Sequence, residues 1–461
     1  MMPEQKRLSK LTRWATVGML SFSILLGNVF PVHAETDAPA VPQISQWSVK
    51  TLHEGEKYGI YPINWYHDGS FQKAITPDKF TTLMEGTATK LDKLGFKKKV
   101  ASLSFPTDKV ITRETVITSL HKLLANYELP KSFDMNANMA PVDYMQNKGL
   151  VKGTKAGLEL DKPSTVEHAA VIASRLVEFA YDAADAGAEG LMWKVTNKNN
   201  TLYLLGSVHL GITDMYPMQK SIREAFDASD DLWVEIDLLN GDMSYFNDKM
   251  QYSDGTTVKD HVSKETYEKL QKALTKLDLP GNAFDGFKPF AISTSLSTLG
   301  YAQDPEAYQM AMLTGIDNYF ITKAMLTDKP IHELEGVKVQ AHVFADVPPE
   351  QQEKELNAML DSVLTGNGIK ESEENLKKMQ LDWVEGDAEG LTQLLKVGFE
   401  DEASKRLIGE RDKNMARKLA QLLEKEGENT SFVVVGAAHY VMKGMVVDLL
   451  KEKGYTVQYL Q

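Results

Sequence analysis

LYLLGSVHLG, residues Leu202–Gly211, is an apolar run that stops at Gly206 and carries a histidine, His209, three residues later. Near the other end of the chain SFVVVGAAHYV, Ser431–Val441, repeats the design: apolar run, glycine Gly436, two small residues, His439. Short apolar runs bounded by glycine read as buried strands. Residues just past the C-terminal end of a strand line the ligand crevice of an α/β sheet, and glycine there permits a turn where a Cβ would clash. If the two strands are neighbours, both imidazoles open into one cleft, with Gly206 and Gly436 as its site glycines.

Outward from these runs, Leu232–Ile236 is a further strand candidate, reached through a helical stretch from Met218 to Ala228. Long helical stretches follow from Lys264 to Ala324 and from Pro349 to Lys396, interrupted by a strand candidate at Lys329 to Leu334. A helix from Tyr440 to Lys453, ended by Gly454, and a strand from Tyr455 to Leu460 close the chain. The expectation for residues 190–461 is therefore an α/β domain: a mixed or parallel sheet under an inserted helical cap. Residues 47–185 carry an imperfect repeat of helical hairpins, whose second helices start at Thr76-Pro77-Asp78, Thr112-Arg113-Glu114 and Thr165-Val166-Glu167, each an N-cap followed by an acid. This predicts an all-α domain. Residues 35–46 read as a linker containing Pro39 and Pro42. Residues 1–34, with Lys6, Arg7, Lys10 and Arg13 before an apolar stretch from Trp14 to Leu26, read as a signal peptide cleaved after Ala34.

Composition narrows the chemistry. Of 461 residues, 43% are hydrophobic and 25% charged, ordinary values for a globular chain. Lys+Arg 51 against Asp+Glu 64 leaves a net charge of −13, which disfavours nucleic acid as a partner. With no cysteine, disulfides, thiolate metal sites and a cysteine nucleophile are excluded. No later segment has the apolarity of a membrane span, so none is expected after signal cleavage, and the mature chain is expected outside the cytoplasmic membrane.

Glu235 lies in the apolar run Leu232–Ile236, where a buried carboxylate is expensive unless it meets a cation; the other reading is an edge strand with Glu235 facing solvent. His209, His439 and Glu235 as metal ligands would hold a divalent ion with a position open for water, whose pKa the ion lowers. Glu335, between a strand candidate and Gly336, suits a general base or a further ligand. Arg411 reads equally as an oxyanion or carboxylate clamp and as one half of a structural ion pair with its neighbour Glu410 or another nearby acid. His332 and His342 receive no role. Tyr308, Met310, Met312, Tyr319 and Phe320 read as core, the alternative being a wall of a haem pocket.

From about Gly190 to Gln461 the chain resembles the TraB/GumN family, to which the Tiki metalloproteases of animals belong. The resemblance rests on LYLLGSVHLG, LWVEIDL (232–238), GID (315–317), HELEG (332–336), GERDKNMA (409–416), FVVVGAAHYV (432–441) and GYTV (454–457). It implies a core related to erythromycin esterase-like and haem-binding ChaN-like folds, and peptide cleavage supported by manganese or cobalt, with zinc as an alternative. It implies His209 and His439 as the paired histidines, Glu235 as the first acid, Glu335 and Arg411 as further catalytic residues, and Asp317 as the aspartate of Gly-x-Asp. Asp412 departs from the asparagine usual in the family, and pairing with Arg411 is one consequence considered for it. Residues 47–185 resemble S-layer homology modules, on Thr112-Arg113-Glu114-Thr115, Phe133-Asp134 and Lys152-Gly153-Thr154; this implies a secondary cell-wall polymer as partner. Together these imply a secreted, wall-associated, metal-dependent hydrolase of peptide or protein substrates. The alternative is a non-catalytic binder of a peptide signal or tetrapyrrole.

Overall fold

A computed structural model of the chain describes residues 42–460, except 137, 154, 238–241, 300–304 and 399–407. The signal peptide and nearly all of the linker lie outside the described residues, as does Thr154. Two compact units emerge: residues 42–188 with Ile212–Arg223, and Glu189–Gly211 with Glu224–Gln461. The strand-helix-strand reading of the sequence did not anticipate that Ile212–Arg223 belongs with the first unit.

That first unit is helical: Val49–Lys57, Pro77–Asp92, Arg113–Ala125, Pro141–Asn147 and Val166–Ala183. The repeat sets its frame. Thr76, Thr112 and Thr165 each cap a helix, their hydroxyls accepting from the backbone N–H of Lys79, Thr115 and His168 at 3.3, 3.2 and 3.2 Å; each such cap stabilises by about 1 kcal/mol. The segments before the caps converge on Ser164, which accepts from Ile75 N at 2.8 Å and donates to Ile111 O at 2.9 Å. Arg113 is buried at 5% exposure and its Nε donates to Leu158 O at 2.8 Å.

The second unit is built on six strands: β1 (Met192–Asn197), β2 (Asn200–Ser207), β3 (Asp231–Val234), β4 (Ile331–Glu333), β5 (Asn429–Gly436) and β6 (Thr456–Leu460). Their order is β4-β3-β5-β2-β1-β6. The pairs β4·β3, β3·β5 and β5·β2 are parallel, and β2·β1 and β1·β6 antiparallel. β1 was not foreseen, because Lys194 and Thr196 break its apolar pattern. β5 lies between two parallel neighbours, and its run Phe432, Val433, Val434, Val435 is wholly buried, as two covered faces require. Phe226, Phe320 and Phe432 pack ring on ring, 4.8 to 5.5 Å between centroids, and Tyr308 and Tyr319 are buried with Phe320, so the aromatics of the middle segment are core, whereas Met310 and Met312 are only half-buried. The final helix is two pieces, Ala438–Val441 and Val446–Glu452, separated where Gly444 takes a left-handed φ of 80°. Between β3 and β5 the inserted helices form their own apolar cluster, including Leu270, Leu274, Phe284, Leu356 and Leu360. Among the described residues no helix is long and apolar enough to cross a membrane.

Candidate active site

The two Gly-x-x-His motifs leave adjacent parallel strands at the same level: Gly206 lies opposite Val435 and Ser207 opposite Gly436. The approach is close enough that a Cβ on Gly206 would stand 3.1 Å from Cα and Cβ of Ala437. β3 flanks β5 on the other side. Glu235 follows β3 directly and Glu335 stands just past β4, where Glu335 N donates to Glu235 O at 3.1 Å. Four strand ends thus present His209, His439, Glu235 and Glu335 on one edge of the sheet.

Glu235 and Glu335 are both buried, with side-chain exposures of 11% and 3%, so Glu235 does not face solvent from an edge strand. Two buried like charges require a cation. Arg411, in the first turn of the helix Glu410–Glu424, supplies it. Its Nε donates to both Glu335 oxygens at 3.0 Å, and its Nη2 donates to Glu335 Oε2 at 2.5 Å and also to Glu235 Oε1. Gln340 donates to the same Glu235 oxygen. Burial opposes the guanidinium charge, but these hydrogen bonds and carboxylates outweigh it and hold Arg411 above its ordinary pKa. Glu410 is not its partner; that exposed carboxylate meets Lys413 at 2.9 Å.

Asp412, one residue on, points elsewhere. It is fully buried; Oδ1 lies 3.0 Å from Nδ1 of His439 and Oδ2 accepts from Gly409 N at 2.7 Å. The anticipated pairing with Arg411 is absent because successive residues of a helix face different directions, and Asp412 is turned toward the β5 end. His439 is 5% exposed. A Cβ on Gly436 would sit 3.7 Å from His439 Cδ2 and 3.8 Å from Glu235 Oε2, so both side chains border that glycine.

His209 has the same kind of support. Its Nδ1 lies 2.7 Å from Oδ2 of Asp317, whose Oδ1 accepts from the Ser207 hydroxyl at 2.8 Å. Asp317 reaches it because the loop after β2 docks backbone against backbone on the start of the helix Ile316–Leu326: Ile316 N donates to Val208 O at 3.1 Å and Gly211 N to Ala311 O at 2.8 Å. Only glycine tolerates this approach, since a Cβ on Gly211 would stand 1.8 Å from Thr314 O and one on Gly315 2.1 Å from His209 O. Trp383 Nε1 donates to Gly206 O at 2.7 Å and Gln380 Nε2 to Leu210 O at 2.8 Å, bracing the loop from the other side.

The Asp317 carboxylate raises His209 to about 9, against the burial of its surroundings; Glu235 adds to the rise and Arg411 opposes it. Of the His209 side-chain surface 66% meets solvent, so water screens the pair and limits its worth to stability. Burial pushes Asp317 up, but His209 and Ser207 overcome it and hold the carboxyl below its ordinary range. Tyr440, beside His439, is raised well above its ordinary value by burial, then by Glu235, Asp412 and Asp317. His332 and His342 stay outside the cleft: His332 lies against Trp233, ring centroids 4.7 Å apart, and His342 meets Asp346 at 2.6 Å.

Imidazoles that ligate a metal commonly fix the other ring nitrogen on a carboxylate. Both histidines meet that condition at Nδ1, which leaves Nε2 to face a ligand, and Glu235 adds a carboxylate, so the donor chemistry fits a divalent ion. Among the described residues, however, no three His, Asp or Glu side chains stand close enough together to hold one. Asp317, matched in the sequence without a role, and Ser207 and Gln340, not singled out there, belong to the cleft. For Asp317 the available signal was an acid in the first turn of a helix directly after a glycine.

The model of the TraB/PrgY/gumN family matches residues 191–459. Over 169 residues the chain is 26% identical to "Uncharacterized protein YbaP" of Escherichia coli (strain K12), covering 36% of this chain and 58% of that protein. The protein of the same name from Shigella flexneri matches at 26% over 169 residues, also 58% of its length. No solved structure matches the chain.

Proposed function

The chain belongs to the TraB/PrgY/gumN family, and we propose that its C-terminal unit is a hydrolase of peptide or protein substrates, acting in the cleft between His209 and His439. The observation that carries this reading is the pair of imidazoles, each anchored at Nδ1 by a carboxylate, on the tips of adjacent parallel strands. Nε2 of both histidines and Glu235 would hold a divalent ion, manganese or cobalt first and zinc as the alternative, which when bound supplies Lewis acidity and a lowered pKa for water. Asp317 and Asp412 orient the rings. Glu235 Oε2 bears no bond from Arg411 or Gln340 and is the oxygen open to chemistry. Glu335, suggested by its position as a base, is bound on both oxygens by Arg411. Both residues therefore act here by positioning Glu235 rather than by touching substrate.

The basic and apolar pattern of residues 1–34 supports secretion, and the helical repeat supports retention of the first unit on a wall polymer. Chelated protein reloaded with manganese or cobalt is offered a peptide pool beside His209→Ala and His439→Ala. Cleavage should depend on metal and fall in both variants; equal cleavage by all three ends the hydrolase reading. The wide spacing of the donors favours one other reading, a non-catalytic binder of peptide or tetrapyrrole. Chelator-insensitive peptide binding, or a Soret band on haem titration, is its signature.

A further inference from the structure

A second recess, about 390 Å³ in volume, lies in the C-terminal unit along the helix Ser244–Met250 and the residues just after it, with Lys288 also on its wall. None of His209, His439, Glu235, Glu335 or Arg411 lines it. Its size is that of a small-molecule site. Backbone bonds hold its frame: Lys288 N donates to Met250 O at 2.8 Å and Tyr252 N to Gly286 O at 3.0 Å. Both tyrosines on the wall are fixed. Tyr245 Oη meets His342 Nε2 at 3.0 Å, and Tyr252 stacks on His261 with centroids 4.0 Å apart. No Ala, Val, Leu, Ile or Met is among the lining residues, and the charges there are of both signs. Lys249 and Lys288 are half-buried, yet neither forms an ion pair, and exposed Asp248 meets no cation among the described residues. Asp254 is taken up by Thr256, accepting from its N at 3.0 Å and its Oγ1 at 2.6 Å.

In a chain of net charge −13, two half-buried ammonium groups without a carboxylate are a notable omission, and a ligand can fill it. An apolar ligand would strip water from these charges and return nothing. A polyanion is repelled by Asp248 and Asp254, and a metal ion by Lys249 and Lys288. A small molecule with one carboxylate and one ammonium satisfies both signs. The two tyrosine rings suit an aromatic side chain between those charges. We propose that this recess binds an aromatic amino-acid zwitterion, either free or as a dipeptide. Its carboxylate meets Lys249 and Lys288, its ammonium meets Asp248, and its ring lies against Tyr245 and Tyr252. The site stands apart from the chemistry assigned to the cleft.

Calorimetric titration of the full chain, metal-free, with L-phenylalanine, glycyl-L-phenylalanine, N-acetyl-L-phenylalanine and L-phenylalaninamide tests the site. Saturable binding of the amino acid or the dipeptide is expected, and the tighter of the two identifies the source. The acetyl and amide forms each lack one charge and should bind about tenfold more weakly or worse. Lys288→Gln and Asp248→Asn should weaken the zwitterion by a similar factor, while His439→Ala binds it as the wild type does. Absence of saturable binding, equal affinity for the blocked forms, unaltered affinity in either recess variant, or loss in His439→Ala overturns the proposal. Should Lys288→Gln fail to fold, Asp248→Asn, a change at an exposed residue, decides alone.

Discussion

Replacing Arg411 by methionine should be the most destabilising single change in the cleft. The side chain is 9% exposed and joins two carboxylates exposed by 11% and 3%. Breaking a buried pair by removing one partner costs about 3–5 kcal/mol, because the other charge is left uncompensated; here two remain. At about 2–4 °C per kcal/mol for a unit of this size, the midpoint of the C-terminal unit should fall by about 6–20 °C at neutral pH. Urea unfolding followed by circular dichroism, at pH 7 and at acid pH, reads the effect. Protonating either carboxylate removes the excess charge, so the deficit should narrow as the pH falls into the carboxylate range. Glu410→Gln is the control and should stay within about 0.5 kcal/mol of wild type. A deficit for Arg411→Met below about 1 kcal/mol, the range of an exposed pair, or one equal at both pH values, refutes the strut.

In metal-free protein, His209 should titrate near 9 by NMR and return toward its ordinary 6.5 in Asp317→Asn. Because the folded pKa is the raised one, what this contact adds to stability is complete below 6.5 and is lost as the pH rises through about 9; a wild-type ring titrating at 6.5 contradicts the pairing. Gly315→Ala forces a Cβ to 2.1 Å from His209 O and should cost about 1–3 kcal/mol while abolishing the raised His209 titration; an unchanged titration denies the close approach. Lys90, whose Nζ donates to Thr213 O at 2.7 Å, is lowered by burial from 10.5 to about 7. The unfolded chain binds the extra proton between those values, so stability of the helical unit should climb with pH across them, and Lys90→Met should flatten that slope in urea melts.

The strands that matter were legible in the sequence because buried parallel strands are written as nearly unbroken apolar runs, and the glycine after each marked where the chain turns. The Gly-x-x-His copies could be read for the same reason. What polar groups hold was not legible. Arg411 has an acid beside it in the chain, but its partners lie 76 and 176 residues away, and nothing in periodicity encodes a contact set by helix rotation and sheet order. The pairing considered for Asp412 does not form, because its neighbour in sequence is not its neighbour in direction. Asp317 needed the backbone docking of Gly211 and Gly315, which a sequence shows only as two glycines among 31.

β5 stands between β2 and β3 although it is the fifth strand in the chain. Until Asn429–Gly436 has left the ribosome, β2 and β3 have no common partner, and each exposes an open edge of apolar backbone that invites pairing with other chains. The cleft is therefore a late event in biosynthesis, closed by contacts of long sequence separation that fold slowly. A nascent C-terminal unit must be kept from aggregating until its penultimate strand arrives.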